Sequence, residues 1–165
     1  VEGIMPQTET VIRQALKEKV KPVLFINKVD RLIAELQVTP EDMMQRFGKI
    51  ITEVNKLIVR MVPEEFKKEW MVDAQAGTVA FGSAYHNCAT SLPFMAKKNV
   101  NFKQIYEFME KEQRRELAQA APLHEVLLDM IVEKLPSADA AQKYRIPHIW
   151  RGESVSYTHL RAHET

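Results

Sequence analysis

Asn27-Lys28-Val29-Asp30 sets an amide, a long aliphatic cation and a carboxylate directly after the apolar run Pro22-Val23-Leu24-Phe25-Ile26. A carboxylate at Asp30 can accept two adjacent N–H donors at once. Guanine presents such a pair, a ring N–H beside an exocyclic amine, and adenine does not. The Asn27 amide can donate to a base and tie neighbouring loops together, while the aliphatic stem of Lys28 can cover the flat face of a ring. The place also suits the chemistry, because ligands of open α/β sheets bind beyond the carboxyl ends of the strands.

A second strand-to-loop candidate is Phe81-Gly82-Ser83-Ala84, where small residues allow a close main-chain approach. Cys88 has no activating partner beyond nearby His86, and His86-x-Cys88 lacks the spacing and further ligands of a zinc site. Neither is expected to do chemistry.

The elements that must position these residues follow an α/β pattern. Apolar spacing predicts a helix over Gln7 to Lys19 and a buried strand over Pro22 to Ile26. Thr39-Pro40-Glu41-Asp42 is a helix start, with Thr as N-cap and Pro at the first position. From there Met43, Met44, Phe47, Ile50, Ile51, Val54, Leu57, Ile58 and Met61 recur at helical spacing as far as Pro63, a stripe expected to pack in the core. A short helix over Glu64 to Trp70, a turn over Asp73 to Gly77 and a strand over Thr78 to Phe81 come next. Asn101 can cap a helix carrying Phe102, Ile105, Met109 and Leu117. Pro122 opens another, with Leu123, Val126, Leu127, Met130, Ile131 and Leu135 at helical spacing. Ser137 to Lys143 reads as a small, polar linker and Arg145 to Trp150 as extended chain.

Composition narrows the class. The 165 residues are 45% hydrophobic and 27% charged, with a net charge of +1, so bulk charge makes no case for nucleic acid. No apolar run approaches 18 residues, which argues against a membrane-spanning helix. A single cysteine fits a reducing, cytoplasmic setting. Val1 in place of Met reads as a start inside a longer protein.

Asn27-Lys28-Val29-Asp30 has the N-K-x-D form of the guanine-reading motif of GTP-binding proteins. Ser83-Ala84 is similar to the loop whose backbone N–H, at Ala84, meets the guanine carbonyl oxygen there. The longer stretches Val1-Glu2-Gly3-Ile4-Met5-Pro6-Gln7-Thr8-Glu9-Thr10 and Phe25-Ile26-Asn27-Lys28-Val29-Asp30-Arg31-Leu32 resemble translational GTPases, specifically the elongation factor 2 family. Ala141 to Gly152 resembles its archaeal form, and the likeness covers roughly residues 1 to 153. It implies an α/β, P-loop GTPase G domain, a mostly parallel sheet flanked by helices, of which this chain is the C-terminal part over 1–135. Residues 31–80 would be a family insertion, 136–146 a linker and 147–153 the start of a β-barrel domain. Cys88 stands where the family tends to carry a bulky aromatic, which is expected to loosen local packing.

The resemblance implies a ribosome-dependent GTPase that drives tRNA and mRNA translocation. Its cofactor would be GTP or GDP, with Mg2+ in the intact protein, and its partners rRNA and ribosomal proteins. The intact protein would be monomeric, and no membrane partner is expected. Asn27, Lys28 and Asp30 would bind the base, with Ser83 and Ala84 completing its pocket. Elongation factor G, a release-factor GTPase and a non-catalytic α/β interaction module are the alternatives. The five glycines, at 3, 48, 77, 82 and 152, form no G-x-x-x-x-G-K-[ST] loop, and neither switch segment is present. The N-terminal strands would be missing with them, leaving a sheet edge uncovered. The chain alone is therefore expected neither to hydrolyse GTP nor to bind it tightly, and it holds no Mg2+ ligands or catalytic residue. Residues 154–165 resemble no domain and look like a translated transposase-type sequencing adapter, an expected artefact.

Overall fold

A computed structural model describes residues 3–98, 106–107 and 114–150. Helix α1 (Pro6–Lys17) leads into β1 (Leu24–Ile26), then α2 (Val29–Ala34), α3 (Pro40–Met61), α4 (Glu64–Trp70), β2 (Val79–Ser83) and β3 (Cys88–Thr90). Helices α5 (Leu92–Lys98), α6 (Arg114–Ala120), α7 (Leu123–Lys134) and α8 (Ala138–Ile149) complete the described chain.

Local chemistry accounts for the boundaries. Proline opens α1, whose end is closed by Lys19 in the left-handed region, its N–H donating to Leu16 O and that of Val20 to Ala15 O. The Thr39 hydroxyl accepts from Asp42 N at 3.2 Å, so the predicted cap of α3 is in place. The predicted turn also forms: Asp73 accepts from Gln75 N and Ala76 N, and Gly77 follows at φ +76°.

The three strands lie in the order β1-β2-β3. β1 pairs with β2 in parallel, Leu24 opposite Val79 and Ile26 opposite Phe81. β2 pairs with β3 antiparallel, Phe81 opposite Thr90 and Ser83 opposite Cys88. Among the described residues the sheet is thus mixed, not mostly parallel. Only Ala84 to Asn87 separate β2 from β3, far too few for a parallel crossover, whereas α2 to α4 provide one between β1 and β2.

Helices cover both faces of this sheet. On one side Val79 and Phe81 meet α1, α2 and α3 through Leu16, Leu32, Met43, Phe47, Val54 and Ile58, with Phe47 stacked on Phe81 at 4.7 Å. On the other, Ala80 and Ala89 pack against Phe94, Ala121, Val126 and Met130. The α3 stripe is therefore core, except Met44, which is half exposed. Asn55 adds a polar tie between α3 and the approach to β2: its amide donates to Val72 O and accepts from Val72 N, both at 2.8 Å.

The C-terminal segment departs from expectation. Residues 138–149, read as linker and then extended chain, form α8. Ser137 caps it, its hydroxyl accepting from Ala140 N, and the alanine-rich first turns favour helix. Pro147 disfavours helix in the residue before it. Here it sits in the last turn, where Trp150 N still reaches Ile146 O at 2.7 Å. Tyr144 holds the helix against Phe66 and Trp70, and Arg145 donates to Glu18 O. The predicted Asn101 helix lies mostly outside the described residues; Tyr106 and Glu107 within it are helical. Residues 151–165 also lie outside them. No helix among the described residues is long and apolar enough to cross a membrane.

Candidate functional site

Adjacent strand ends place the two candidate loops side by side. Ile26 pairs with Phe81, so Asn27 leaves β1 beside Gly82 and Ser83, the last residues of β2, and Ala84 follows at the same end of the sheet. Asn27 then joins them. Its side-chain Oδ1 accepts from the Lys28 N–H at 2.8 Å and from the Ala84 N–H, 57 residues away, at 3.0 Å. Both bonds use the oxygen, so the Nδ2 amide is the part of Asn27 able to donate to a base.

Lys28 turns the chain from strand to helix with left-handed backbone, φ 64° and ψ 34°. A lysine in that conformation carries a steric cost of the kind that gathers at functional sites. The turn starts α2 at Val29, which is buried, and leaves Asp30 in the first helical turn at the loop edge. The Asp30 side chain is one-fifth exposed. Its Oδ1 is buried with no hydrogen-bond partner among the described residues, and its Oδ2 lies 3.7 Å from His86 Nε2. An acceptor buried without a donor is costly, and Oδ1 has capacity for an incoming N–H.

The Ser83-Ala84 loop carries more structure than its sequence suggested. Ser83 is buried, and its hydroxyl accepts from His86 N at 3.3 Å, tightening the turn into β3. Asn87 completes the turn at φ 52°. The Ala84 N–H is given to Asn27, so a base carbonyl would have to share or replace that bond. Burial pushes the Cys88 thiol up from its usual range, with the Asp30 charge adding to the effect, so the neutral thiol dominates near neutral pH.

An open pocket of about 380 Å³ lies over this junction, lined by Asn27, Lys28, Asp30, Arg31, Glu35, Ser83 and Tyr85. Four of the five residues expected to bind a base, Asn27, Lys28, Asp30 and Ser83, thus share one cavity, with Ala84 bonded to its wall. A more apolar pocket of about 350 Å³ adjoins it on the α1 side and also reaches Asn27, Lys28 and Arg31. The first has the carboxylate and so is the site of interest. Sequence reasoning missed Arg31, Glu35 and Tyr85 as lining residues and His86 as a neighbour of Asp30. No spacing rule links Asp30 to His86; the β1–β2 pairing does.

The family model for the elongation factor Tu GTP binding domain matches residues 1–137. The chain is 65% identical over 156 residues to elongation factor 2 of Methanococcus vannielii, covering 94% of this chain and 22% of that protein. To elongation factor 2 of Methanocaldococcus jannaschii it is 61% identical over 153 residues, covering 93% and 21%. Elongation factor 2 of Picrophilus torridus gives the same identity and coverage. The chain spans about a fifth of the length of these curated relatives.

Proposed function

The chain belongs to the elongation factor Tu GTP-binding domain family, and from that premise we propose that it is the guanine-reading part of an elongation factor 2-type, ribosome-dependent GTPase that drives translocation. The observation that carries this reading is the Asn27 Oδ1 junction. It holds the Ser83-Ala84 loop beside an Asp30 carboxylate whose Oδ1 has no donor among the described residues. In this reading Asp30 accepts from the ring N–H and exocyclic amine, Asn27 Nδ2 donates to the base, and the Lys28 stem covers its face. Ser83 holds the turn that presents Ala84, whose N–H then meets the base carbonyl. GTP, when bound, supplies the phosphoryl group to be hydrolysed.

The intact protein would act on the ribosome in the cytoplasm as a monomer, with Mg2+ held by residues outside this chain. Without a phosphate loop, the 165 residues alone lack the groups that position and stabilise a transferring phosphoryl. Equilibrium dialysis of the chain with GTP should accordingly show no affinity in the micromolar range, and a micromolar or tighter Kd would overturn that part of the reading.

The base-reading role is tested by Asp30→Asn in an intact protein carrying this segment. An amide donates where the carboxylate only accepted, so GDP should weaken by about ten- to a hundredfold, the loss of a charge-assisted pair of bonds. Xanthosine diphosphate, with a carbonyl in place of the exocyclic amine, should bind the variant better than it binds the wild type. Unchanged preference for guanine would remove Asp30 from the site.

A further inference from the structure

His86 stands beside the candidate carboxylate. Its imidazole Nε2 is 3.7 Å from Asp30 Oδ2, and both side chains are largely enclosed, at 15% and 20% exposure. The backbone fixes the approach: His86 N donates to Ser83 Oγ, and Tyr85 packs edge-on against the ring at 4.9 Å. Asp30 is therefore asymmetric, with one oxygen facing an imidazole and the other buried without a donor among the described residues. Lys28, Arg31 and Glu35 stand on the α2 side of the pocket, Tyr85 lies on the turn, and the Cys88 thiol of β3 feels the Asp30 charge. Arg31 is directed to Glu35 at 3.6 Å. Among the described residues, that leaves His86 as the group beside Asp30 of the side-chain type that ordinarily serves as a switch near neutral pH.

We infer that His86 is a positioning residue for the Asp30 carboxylate, and that its protonation competes with the base for Oδ2. The inference rests on the guanine-reading role proposed above. Neutral imidazole leaves Oδ2 to the exocyclic amine; imidazolium claims it as an ion-pair partner. A ligand with one donor for Asp30 should feel this less than a ligand with two.

GDP and inosine diphosphate form such a pair of probes, differing by the exocyclic amine alone. Their phosphates titrate alike, so that contribution cancels in the ratio of the two affinities. Competition of each against a ribose-labelled fluorescent GDP, in an intact protein carrying this segment, is measured from about pH 5.5 to 8. The GDP-to-IDP affinity ratio should fall by about fivefold toward the acid end in the wild type, as part of a charged hydrogen bond is lost. In His86→Gln the ratio should be flat across the range. A wild-type ratio independent of pH overturns the inference, and so does a glutamine variant with the wild-type slope. Should the variant not fold, the wild-type ratio alone decides. Asp30→Asn, run alongside, separates the two levels. If it keeps its guanine preference, the base-reading role fails. If it loses that preference while the ratio stays flat in the wild type, only the role of His86 fails.

Discussion

Gly82→Ala is expected to cost the domain about 3 kcal/mol, at the upper end of ordinary overpacking. A Cβ at position 82 would lie 2.2 Å from the Cys88 carbonyl oxygen and 2.7 Å from Ala89 Cα, both backbone atoms of β3. Backbone cannot swing aside as a side-chain tip can. Relief has to come from parting β2 and β3 where Gly82 faces Ala89. Ser83 and Ala84 follow directly, so the same shift would disturb the turn and the Asn27 junction. The urea midpoint, followed by far-ultraviolet circular dichroism on an intact protein carrying this segment, should fall clearly. An unchanged midpoint would mean that the strands separate without cost, contrary to this packing.

Trp70→Ala should cost about 3–5 kcal/mol, as expected for truncating a large buried aromatic. Trp70 is 2% exposed and lies 5.0 Å from the Phe66 ring and 5.9 Å, edge-on, from Tyr144. Its loss would hollow out the end of α4 and remove one of the two rings that Tyr144 of α8 packs against. The Arg145 bond to Glu18 O is exposed and adds little by itself. Denaturant unfolding gives the total, and the near-ultraviolet signal of the remaining aromatics reports the release of α8. A loss under about 1 kcal/mol would show that the cluster is not cooperative with the core. Trp70→Phe, which keeps an apolar ring there, should cost clearly less.

Parts of this arrangement are legible in the chain because short-range chemistry settles them. Thr39-Pro40 writes its own cap, and the α3 stripe shows its buried face through spacing alone. Asn27, Lys28 and Asp30 declare themselves by type and by following an apolar strand. Other parts depend on partners distant in sequence. The three residues of β3 are too short to carry a period, and pairing with β2 and cover from α7 make them a strand. The helix α8 hid behind Pro147 and a small, polar composition; its docking on Trp70 and Phe66 is tertiary. Ser83 was expected to help complete the pocket, and its hydroxyl instead accepts from His86 N in the turn behind it.

The Asn27 to Ala84 bond closes a loop of 57 residues, whereas the turn from β2 to β3 closes one of a few. Closing the long loop costs more chain entropy and is slower, so β2 and β3 can pair before β1 finds its place. The two sides of the pocket would then meet only near the end of folding, once α2, α3 and α4 have condensed between them. A guanine nucleotide bound across that junction would act as a clasp on the slowest step. Its appearance in a refolding reaction would mark the moment the crossover is complete.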